Sequence, residues 1–227
     1  MKGSTGGDPA WSTVVNLSHF DGSNGSTTFT NNGSQSAFNP GGGASDSIAT
    51  AQSVFGGSSL RRVTTGYTNA GADADYAFGN SDFTIEFRFR PDTVQTANVF
   101  DMRTTGTANA RASTIYTLTN GSLIYHVSNA DRITSATGVI TATTWAAIAV
   151  SRVSGTTRMF VNGTQVGSNY TDSTNYDQGT NPTCGSWTAG QQNAYYDEVR
   201  ISNGVFGSGA GRYAANYTIA SSAFPNS

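Results

Sequence analysis

The residues with the clearest chemical potential lie between positions 170 and 196, where aromatic side chains are interspersed with amides and carboxylates. The aromatic residues are Tyr170, Tyr176, Trp187, Tyr195 and Tyr196, and the polar ones are Asp172, Asn175, Asp177, Gln191 and Gln192. Aromatic faces supply apolar contact area and polar side chains exchange hydrogen bonds with hydroxyl groups, which is the mixture that a sugar site needs. We predict a ligand site formed by Tyr170, Tyr176, Trp187, Gln191 and Tyr195. Packing of Tyr195 or Tyr196 in the core, beside a solvated loop, is the alternative.

Patterns typical of catalysis are absent from the sequence. There is no Ser/His/Asp grouping, no GxSxG, no P-loop and no dinucleotide fingerprint. Glu86 and Glu198 are the only glutamates, and each shares its strand face with arginine, Glu86 with Arg88 and Glu198 with Arg200. This arrangement favours cross-strand ion pairing on a polar sheet face. We therefore predict that the protein is not an enzyme.

The chain has a single cysteine, Cys184, and two histidines, His19 and His126. A lone cysteine excludes a disulfide framework and a thiolate metal site, and we expect Cys184 to pack as a small apolar residue. The histidines do not form an HxxxH spacing, so we expect each to be a packing or surface residue.

Composition limits the possible partners. The formal net charge is −2, which gives no attraction to nucleic acid, and no stretch of about 18 apolar residues is present, so we predict no membrane insertion. The first residues, MKGSTGGDPAW, contain no apolar core of a signal peptide. We expect this of a protein delivered inside an assembled particle, or of one whose leader has been removed.

The elements that must position these residues are short β-strands. Residues 144–168 predict two strands and a hairpin, in which Met159 and Val161 point inward and Asn162-Gly163 forms a type I′ turn. Further strands are predicted at 14–20, 27–30, 53–61, 83–90, 99–103, 111–117, 122–128 and 195–202, with a hairpin turn at Asn120-Gly121. Because apolar residues recur at period two and glycine interrupts the pattern, no long helix is expected.

This pattern predicts an all-β fold, an antiparallel β-sandwich of two packed sheets. Residues 1–12 are rich in glycine and serine and are predicted to form a flexible N-terminal arm. Residues 13–227 are predicted to form a single domain.

Several motifs resemble laminin G-like jelly-roll domains of the concanavalin A-like lectin and glucanase superfamily. They are HFDGSNGSTTF from position 19, FGGSSL from 55, DFTIEF from 82, RMFVNG from 158 and YDEVRIS from 196. Their order matches from about His19 to Phe224, and they are similar to domains of bacteriophage tail and virion proteins. The resemblance implies a concanavalin A-like jelly roll, whereas function varies within that fold. Glycosidases of this superfamily carry a Glu-x-Asp-x-x-Glu strand pattern, which this chain lacks.

The resemblance also bears on a candidate calcium site. In similar jelly rolls the two ends of the chain pair side by side, which would bring Asp21 and Asp197 together with backbone carbonyls of Gly22 or Asn24 around a structural Ca²⁺ ion. Strand parity puts Asp197 on the face of Val199 and Ile201, where an unpaired carboxylate needs compensation. The alternative is a simple turn at Asp21 and an Asp197 that accepts backbone hydrogen bonds.

Two functions follow as hypotheses. The first is a non-enzymatic, lectin-like virion protein, from a phage tail or capsid decoration, that binds glycans on a host surface. The second is a purely structural decoration or cementing protein that contacts other virion proteins without binding sugar. Both predict a phage particle as the location, and an extracellular one otherwise.

Overall fold

The computed structural model describes residues 7–42, 45–63, 66–103, 111–178, 181–186, 192–204 and 207–227. These residues form two antiparallel sheets packed face to face, with short 3₁₀ turns at Trp11–Thr13 and Ala74–Tyr76. The predicted antiparallel β-sandwich is confirmed. Within the described ranges, no helix has the length and apolar character needed to cross a membrane.

Fifteen strands make up the two sheets. In chain order they are β1 (Val14–Ser18), β2 (Asn39–Gly41), β3 (Ser47–Ala49), β4 (Ser59–Arg62), β5 (Tyr67–Asn69), β6 (Asp82–Pro91), β7 (Ala97–Asp101), β8 (Thr114–Thr117), β9 (Leu123–Val127), β10 (Ala130–Thr134), β11 (Ala146–Val153), β12 (Thr156–Val161), β13 (Thr164–Thr171), β14 (Thr183–Cys184) and β15 (Ala194–Gly204).

We call the eight-stranded sheet the back sheet and the seven-stranded sheet the front sheet. The back sheet has the order β13-β12-β11-β6-β15-β4-β3, and β1 pairs with the end of β15 that extends beyond β4. The front sheet has the order β10-β9-β8-β7-β14-β5-β2. The first and last long strands of the chain are therefore neighbours, as the resemblance implied.

The core lies between the two sheets. Strand β6 contributes Phe83, Ile85, Phe87 and Phe89, all at most 2% exposed, as its period-two pattern predicts. Phe87 of the back sheet stacks on Phe100 of the front sheet at 5.3 Å between ring centroids. The predicted inward parity of Met159 and Val161 on β12 is also confirmed, because both belong to this core.

The outer face of the back sheet is covered by residues 207–227, which we call the C-terminal segment. The ring of Tyr213 stacks on Tyr217 at 3.7 Å, and both rings pack edge-on against Phe160 of β12. The Tyr213 hydroxyl donates to Glu86 Oε2 at 2.7 Å. This outer face is consequently occupied by the protein's own chain.

A buried ion cluster lies under the C-terminal segment. Arg200 contacts Glu86 at 2.8 Å and Asp8 at 2.9 Å, and Arg212 contacts Asp8 at 2.9 Å. The expected pairing of Glu86 with an arginine of the neighbouring strand is thus present, but the pair is buried rather than exposed. Of the predicted arm 1–12, residues 1–6 lie outside the described residues, whereas Asp8 is buried in this cluster.

Two local predictions differ from the structure. Residues 27–30 do not form a strand, because Ser26 bonds locally with the Thr28 backbone and competes with a ladder. The strand predicted at 111–117 begins only at Thr114, and the chain makes an unpredicted hairpin between β9 and β10. Its turn residues, Ser128 and Asn129, have φ angles of 54° and 55°.

Candidate functional site

The outer face of the front sheet carries an open groove of about 610 Å³. The groove crosses β7, β8, β9 and β10, which are consecutive neighbours in the sheet. Since adjacent strands lie about 4.8 Å apart, the length of the groove across four strands is ~14 Å. Its polar lining comes from Thr96, Asn98, Arg103, Thr114, Tyr116, His126 and Asp131.

Strand alternation places the groove residues on one face. Ile115 and Tyr125 point into the core, so the next residues along their strands, Tyr116 and His126, point outward. On β10, a register shift between Asp131 and Ile133 inserts one extra residue. Without this bulge both residues would share a face; with it, Ile133 enters the core and Asp131 lies in the groove.

The carboxylate of Asp131 connects the two aromatic rings of the groove. The Tyr116 hydroxyl donates to Asp131 Oδ2 at 2.8 Å, and His126 Nδ1 lies 2.7 Å from Asp131 Oδ1. A carboxylate can only accept, so Nδ1 carries the hydrogen in this pair. Burial and the bond to Asp131 raise the pKa of Tyr116 to about 12, which keeps its hydroxyl a donor at neutral pH. Both rings are held in place and remain accessible.

The other end of the groove rests on a buried carboxylate, Asp101, which is 1% exposed. Arg103 donates to both of its oxygens, with Nε at 2.9 Å from Oδ1 and Nη2 at 2.6 Å from Oδ2. Ser186 also donates to Asp101, at 3.2 Å, and accepts from the Asn98 amide at 2.9 Å. The bidentate contact between Arg103 and Asp101 fixes the Arg103 guanidinium along the groove edge.

The groove combines aromatic surface with fixed donors and acceptors. The amide of Asn98 and the guanidinium of Arg103 can donate, and the carboxylate of Asp131 can accept, so the surface suits a ligand rich in hydroxyl groups. A retaining glycosidase needs two carboxyl groups about 5 Å apart. Among the described residues that line the groove, Asp131 is the only carboxylate.

The described members of the predicted ligand site do not form one site. Tyr176 is 1% exposed and its hydroxyl bonds to Asp172 and Tyr125 inside the sandwich, so its ring faces the core. Tyr170 lies on β13, and the Arg132 guanidinium covers its ring at 5.1 Å. Tyr195 lies on β15, four strand positions away in the back sheet, between Arg61 and Arg90. The structure does not bring these three tyrosines together.

The remaining two members, Trp187 and Gln191, lie outside the described residues. Ser186, which directly precedes Trp187 in the chain, is part of the network at the groove edge. The sequence prediction of a role for Trp187 and Gln191 therefore stands as a prediction.

The two aspartates predicted to hold calcium both contact the segment that precedes β4. Asp197 Oδ2 accepts from the backbone of Val54 at 2.7 Å and of Phe55 at 3.1 Å. Asp21 lies against the next residue, Gly56, where a Cβ atom would come within 1.6 Å of Asp21 Oδ1. Any side chain at this glycine would displace the Asp21 carboxylate. Both carboxylates therefore contact the same short segment, residues 54–56.

The predicted parity of Asp197 is wrong, because β15 contains a bulge. The register with β6 shifts between Asp197 and Arg200, and Glu198 has a φ angle of 52°. Tyr196 and Val199 both point into the core, and Asp197 points to the outer face. A bulge residue with positive φ inserts one position and reverses the alternation beyond it. Asp197 is nevertheless fully buried.

Glu198 pairs with a histidine and not with the predicted arginine. Its Oε1 lies 2.6 Å from His19 Nδ1, and its Oε2 accepts from the Phe224 backbone at 2.7 Å. His19 Nε2 lies 2.7 Å from Asn226 Oδ1. Burial disfavours the charged imidazole, but these contacts outweigh it and raise the pKa of His19 to about 9. The C-terminal segment is thereby attached beside Asp21 and Asp197.

The surroundings of Asp197 have some of the features of a cation site. Its Oδ1 is buried and has no hydrogen-bond partner among the described residues. Burial, with the nearby charge of Glu198, raises the pKa of Asp197 to about 7 despite the bonds from Val54 and Phe55. Burial likewise raises the pKa of Asp21. No group of three or more His, Cys, Asp or Glu suited to a metal occurs in the described part of the chain, so backbone oxygens or water would complete any site.

Comparisons with known proteins identify the family of this fold. A model of the Laminin_G_3 family, described as the concanavalin A-like lectin/glucanases superfamily, matches residues 63–208, about two thirds of the chain. No curated protein matches the chain significantly.

Solved structures share the fold at low sequence identity. The binding domain of Paraclostridial Mosquitocidal Protein 1 aligns with a TM-score of 0.64 and 12% identity over 88% of this chain and 51% of its own. Trypanosoma rangeli sialidase aligns with a TM-score of 0.63 and 15% identity over 88% of this chain and 32% of its own. Domain 4 of AbnA, an extracellular arabinanase of Geobacillus stearothermophilus solved with arabinotriose, aligns with a TM-score of 0.60 and 15% identity, over 87% of this chain and 97% of its own. The chain thus spans a half and a third of the first two proteins, and identities this low show the fold alone.

Proposed function

We propose that this chain, which belongs to the Laminin_G_3 family of the concanavalin A-like lectin/glucanases superfamily, is a glycan-binding module. The observation that carries the proposal is the front-sheet groove, in which Tyr116 and His126 are held by one carboxylate beside the donors Asn98 and Arg103. The C-terminal segment covers the back-sheet face over β6, β11 and β12, which makes the front face the larger open surface for a ligand. The solved neighbours include a toxin binding domain and an arabinanase domain in complex with arabinotriose.

The ligand is an extended part of a sugar chain. A groove that crosses four strands, ~14 Å, is longer than one sugar ring and is open along its length. Aromatic edges and fixed polar groups at both ends provide contacts for more than one ring.

The module binds without cleaving its ligand. Asp131 is the one carboxylate that lines the groove in the described part of the chain, and both of its oxygens already bond to Tyr116 and His126. Asp101 is buried and held by Arg103, so it does not complete a catalytic pair. Incubation with bound glycans should release no reducing sugar; release that depends on Asp131 would make the protein an enzyme.

A glycan array tests the binding function. Wild-type protein should retain a defined set of oligosaccharides, and His126→Ala should lose them. Gln165→Ala, on the exposed edge strand β13, is the matched control and should bind like wild type. Absence of binding to any glycan would favour the alternative, a structural decoration or cementing protein without sugar binding.

A structural calcium ion is the second part of the proposal. Asp21 and Asp197 would hold it, and the ion would compensate the buried, unpartnered Asp197 Oδ1. The residues fit because a hard cation takes carboxylate and backbone oxygens together. Calcium binding would be seen directly by titration calorimetry and as a rise in melting temperature.

The third part concerns location. The similarity of HFDGSNGSTTF, FGGSSL and YDEVRIS to virion domains supports a phage particle, where the module would attach the particle to a glycan-bearing surface and would contact other virion proteins. Antibodies against the chain should label intact particles in electron micrographs. Recovery of the protein only as a free, particle-independent species would contradict this location.

A further inference from the structure

We infer that the groove selects neutral oligosaccharides over acidic ones and that Asp131 sets this preference. The inference rests on the proposed glycan-binding function and adds the chemical class of the ligand. It follows from how the charges of the groove are distributed.

The positive charge at the groove edge is already neutralised. Arg103 makes a bidentate contact with Asp101, which is itself buried, so the pair presents no net charge. A guanidinium engaged in this way offers a hydrogen-bond edge but little attraction to a carboxylate or sulfate.

The negative charge at the opposite end lacks an arginine partner. The Asp131 side chain is 46% exposed, and its bonds come from the hydroxyl of Tyr116 and the imidazole of His126. The adjacent Arg132 is directed elsewhere: its guanidinium lies over the Tyr170 ring and donates to the carbonyls of Val127 and Ser128.

Two other charged residues near this face do not alter the balance. Arg111 forms an ion pair with Asp177 at 3.0 Å, which is neutral as a unit. When the His126 imidazole beside it is neutral, the exposed carboxylate of Asp131 therefore determines the local potential for an incoming ligand. A hydroxyl group can donate to this carboxylate, whereas a second carboxylate or a sulfate is repelled by it.

The size of the preference follows from Coulomb's law. Two like charges about 5 Å apart in a well-solvated groove disfavour the acidic ligand about four- to tenfold. Salt screens such an exposed interaction, so the preference should shrink at high ionic strength. Shape selectivity would show no such dependence.

The experiment uses ligand pairs that differ only in charge. Neutral gluco-, manno- and galacto-oligosaccharides of three to six rings are compared with the same chains oxidised at C6 to uronic acids. Dissociation constants are measured for wild type and Asp131→Asn at about 20 mM and 500 mM NaCl. The Asn side chain keeps an oxygen that accepts from Tyr116, and the ratio of acidic to neutral Kd is the readout.

The inference predicts a four- to tenfold preference for the neutral partner at low salt that falls toward unity in Asp131→Asn and in 500 mM NaCl. Equal or tighter binding of the oxidised chains by wild type would overturn it while leaving glycan binding intact. A preference unchanged in Asp131→Asn would also overturn it. If no oligosaccharide of either class binds, the proposed function fails and the inference fails with it.

Discussion

The Tyr116 hydroxyl donates a 2.8 Å hydrogen bond to the carboxylate of Asp131 across the groove, from β8 to β10. These two strands are not neighbours, because β9 lies between them and contributes His126 to the same carboxylate. The orientation of the Tyr116 ring is thus fixed before any ligand arrives, which lowers the ordering cost of binding.

Tyr116→Phe removes the hydroxyl and keeps the aromatic ring, so it measures the contribution of the hydroxyl to binding. We expect glycan affinity to fall about three- to tenfold, since one hydrogen bond contributes ~0.5–1.5 kcal/mol and 1.4 kcal/mol is tenfold in Kd. Tyr116→Ala should weaken binding further, because it also removes the apolar ring surface. Titration calorimetry with an array-selected glycan measures both. An unchanged Kd in Tyr116→Ala would exclude this ring from the site.

The buried ion cluster predicts a large effect from a change that leaves the groove intact. Glu86→Gln removes one of the four charges of this cluster, and removal of one partner from a buried pair costs about 3–5 kcal/mol. Asp177→Asn is the control, because it removes one partner of an exposed pair worth about 0–1 kcal/mol. Urea unfolding of the two variants should differ accordingly, and equal losses would show that the cluster is solvated.

The His19–Glu198 contact predicts a pH dependence of stability. The folded-state pKa of His19 is raised to about 9 from an ordinary value of 6.5, so its stabilisation is complete below about pH 6.5 and is lost as the pH rises through about 9. In chelator, the melting temperature of wild type should exceed that of His19→Gln most at pH 6. The gap should narrow toward pH 10. A gap that stays constant over this range would mean that His19 does not titrate there.

Asp197 gives a pH dependence of the same direction in a lower pH range, because its buried charged form is the unfavourable one. Its folded-state pKa is raised to about 7 from 3.8, so the native state keeps a proton that the unfolded chain has lost, and stability falls as the pH rises from about 4 to 7. In chelator at pH 8, Asp197→Asn should therefore melt above wild type. Its amide can still accept from Val54 and Phe55 while carrying no charge.

Calcium should reverse that order. An ion bound to the native state alone stabilises it by about 2.7 kcal/mol at a hundredfold excess over Kd, so wild type should gain melting temperature with calcium. Asp21→Asn and Asp197→Asn should lose the response, whereas Asp92→Asn, which pairs with Arg61, should keep it. The calcium proposal would be contradicted if chelator did not change the melting temperature of wild type, measured on protein shown afterwards to be free of metal. Asp197 would then only accept hydrogen bonds from the backbone of residues 54 and 55.

Much of the fold was predictable from local pattern. The period-two run of β6 and the Asn162-Gly163 turn indicated strands and a hairpin that the structure contains, because alternation and positive φ are encoded by neighbouring residues. Bulges were not predictable in this way. The one at Glu198 reversed the expected parity of Asp197, and Glu198 there contacts His19, a residue distant in sequence that no local pattern links to it.

The groove was missed for a similar reason. Its key carboxylate, Asp131, lies on β10, a strand that was not predicted because its turn is Ser128-Asn129 and not a glycine turn. Asparagine tolerates positive φ, so Asn129 can form a hairpin turn. The available signal for this hairpin was the alternation of residues 123–127, followed after the turn by the short segment 130–134. The predicted aromatic cluster relied on proximity in sequence, but Tyr170 and Tyr195 occupy strands ~19 Å apart in the back sheet.

The location of the bound glycan is the most direct measurement. Amide chemical shifts of isotopically labelled wild-type protein, followed during titration with an array-selected oligosaccharide, report which residues contact it. Glycan binding in the front-sheet groove predicts that the largest shifts fall at residues 96–98, 114–116, 126 and 131. Shifts confined to the surroundings of Tyr170 or of Tyr195 would place the glycan at the site predicted from sequence and contradict the groove.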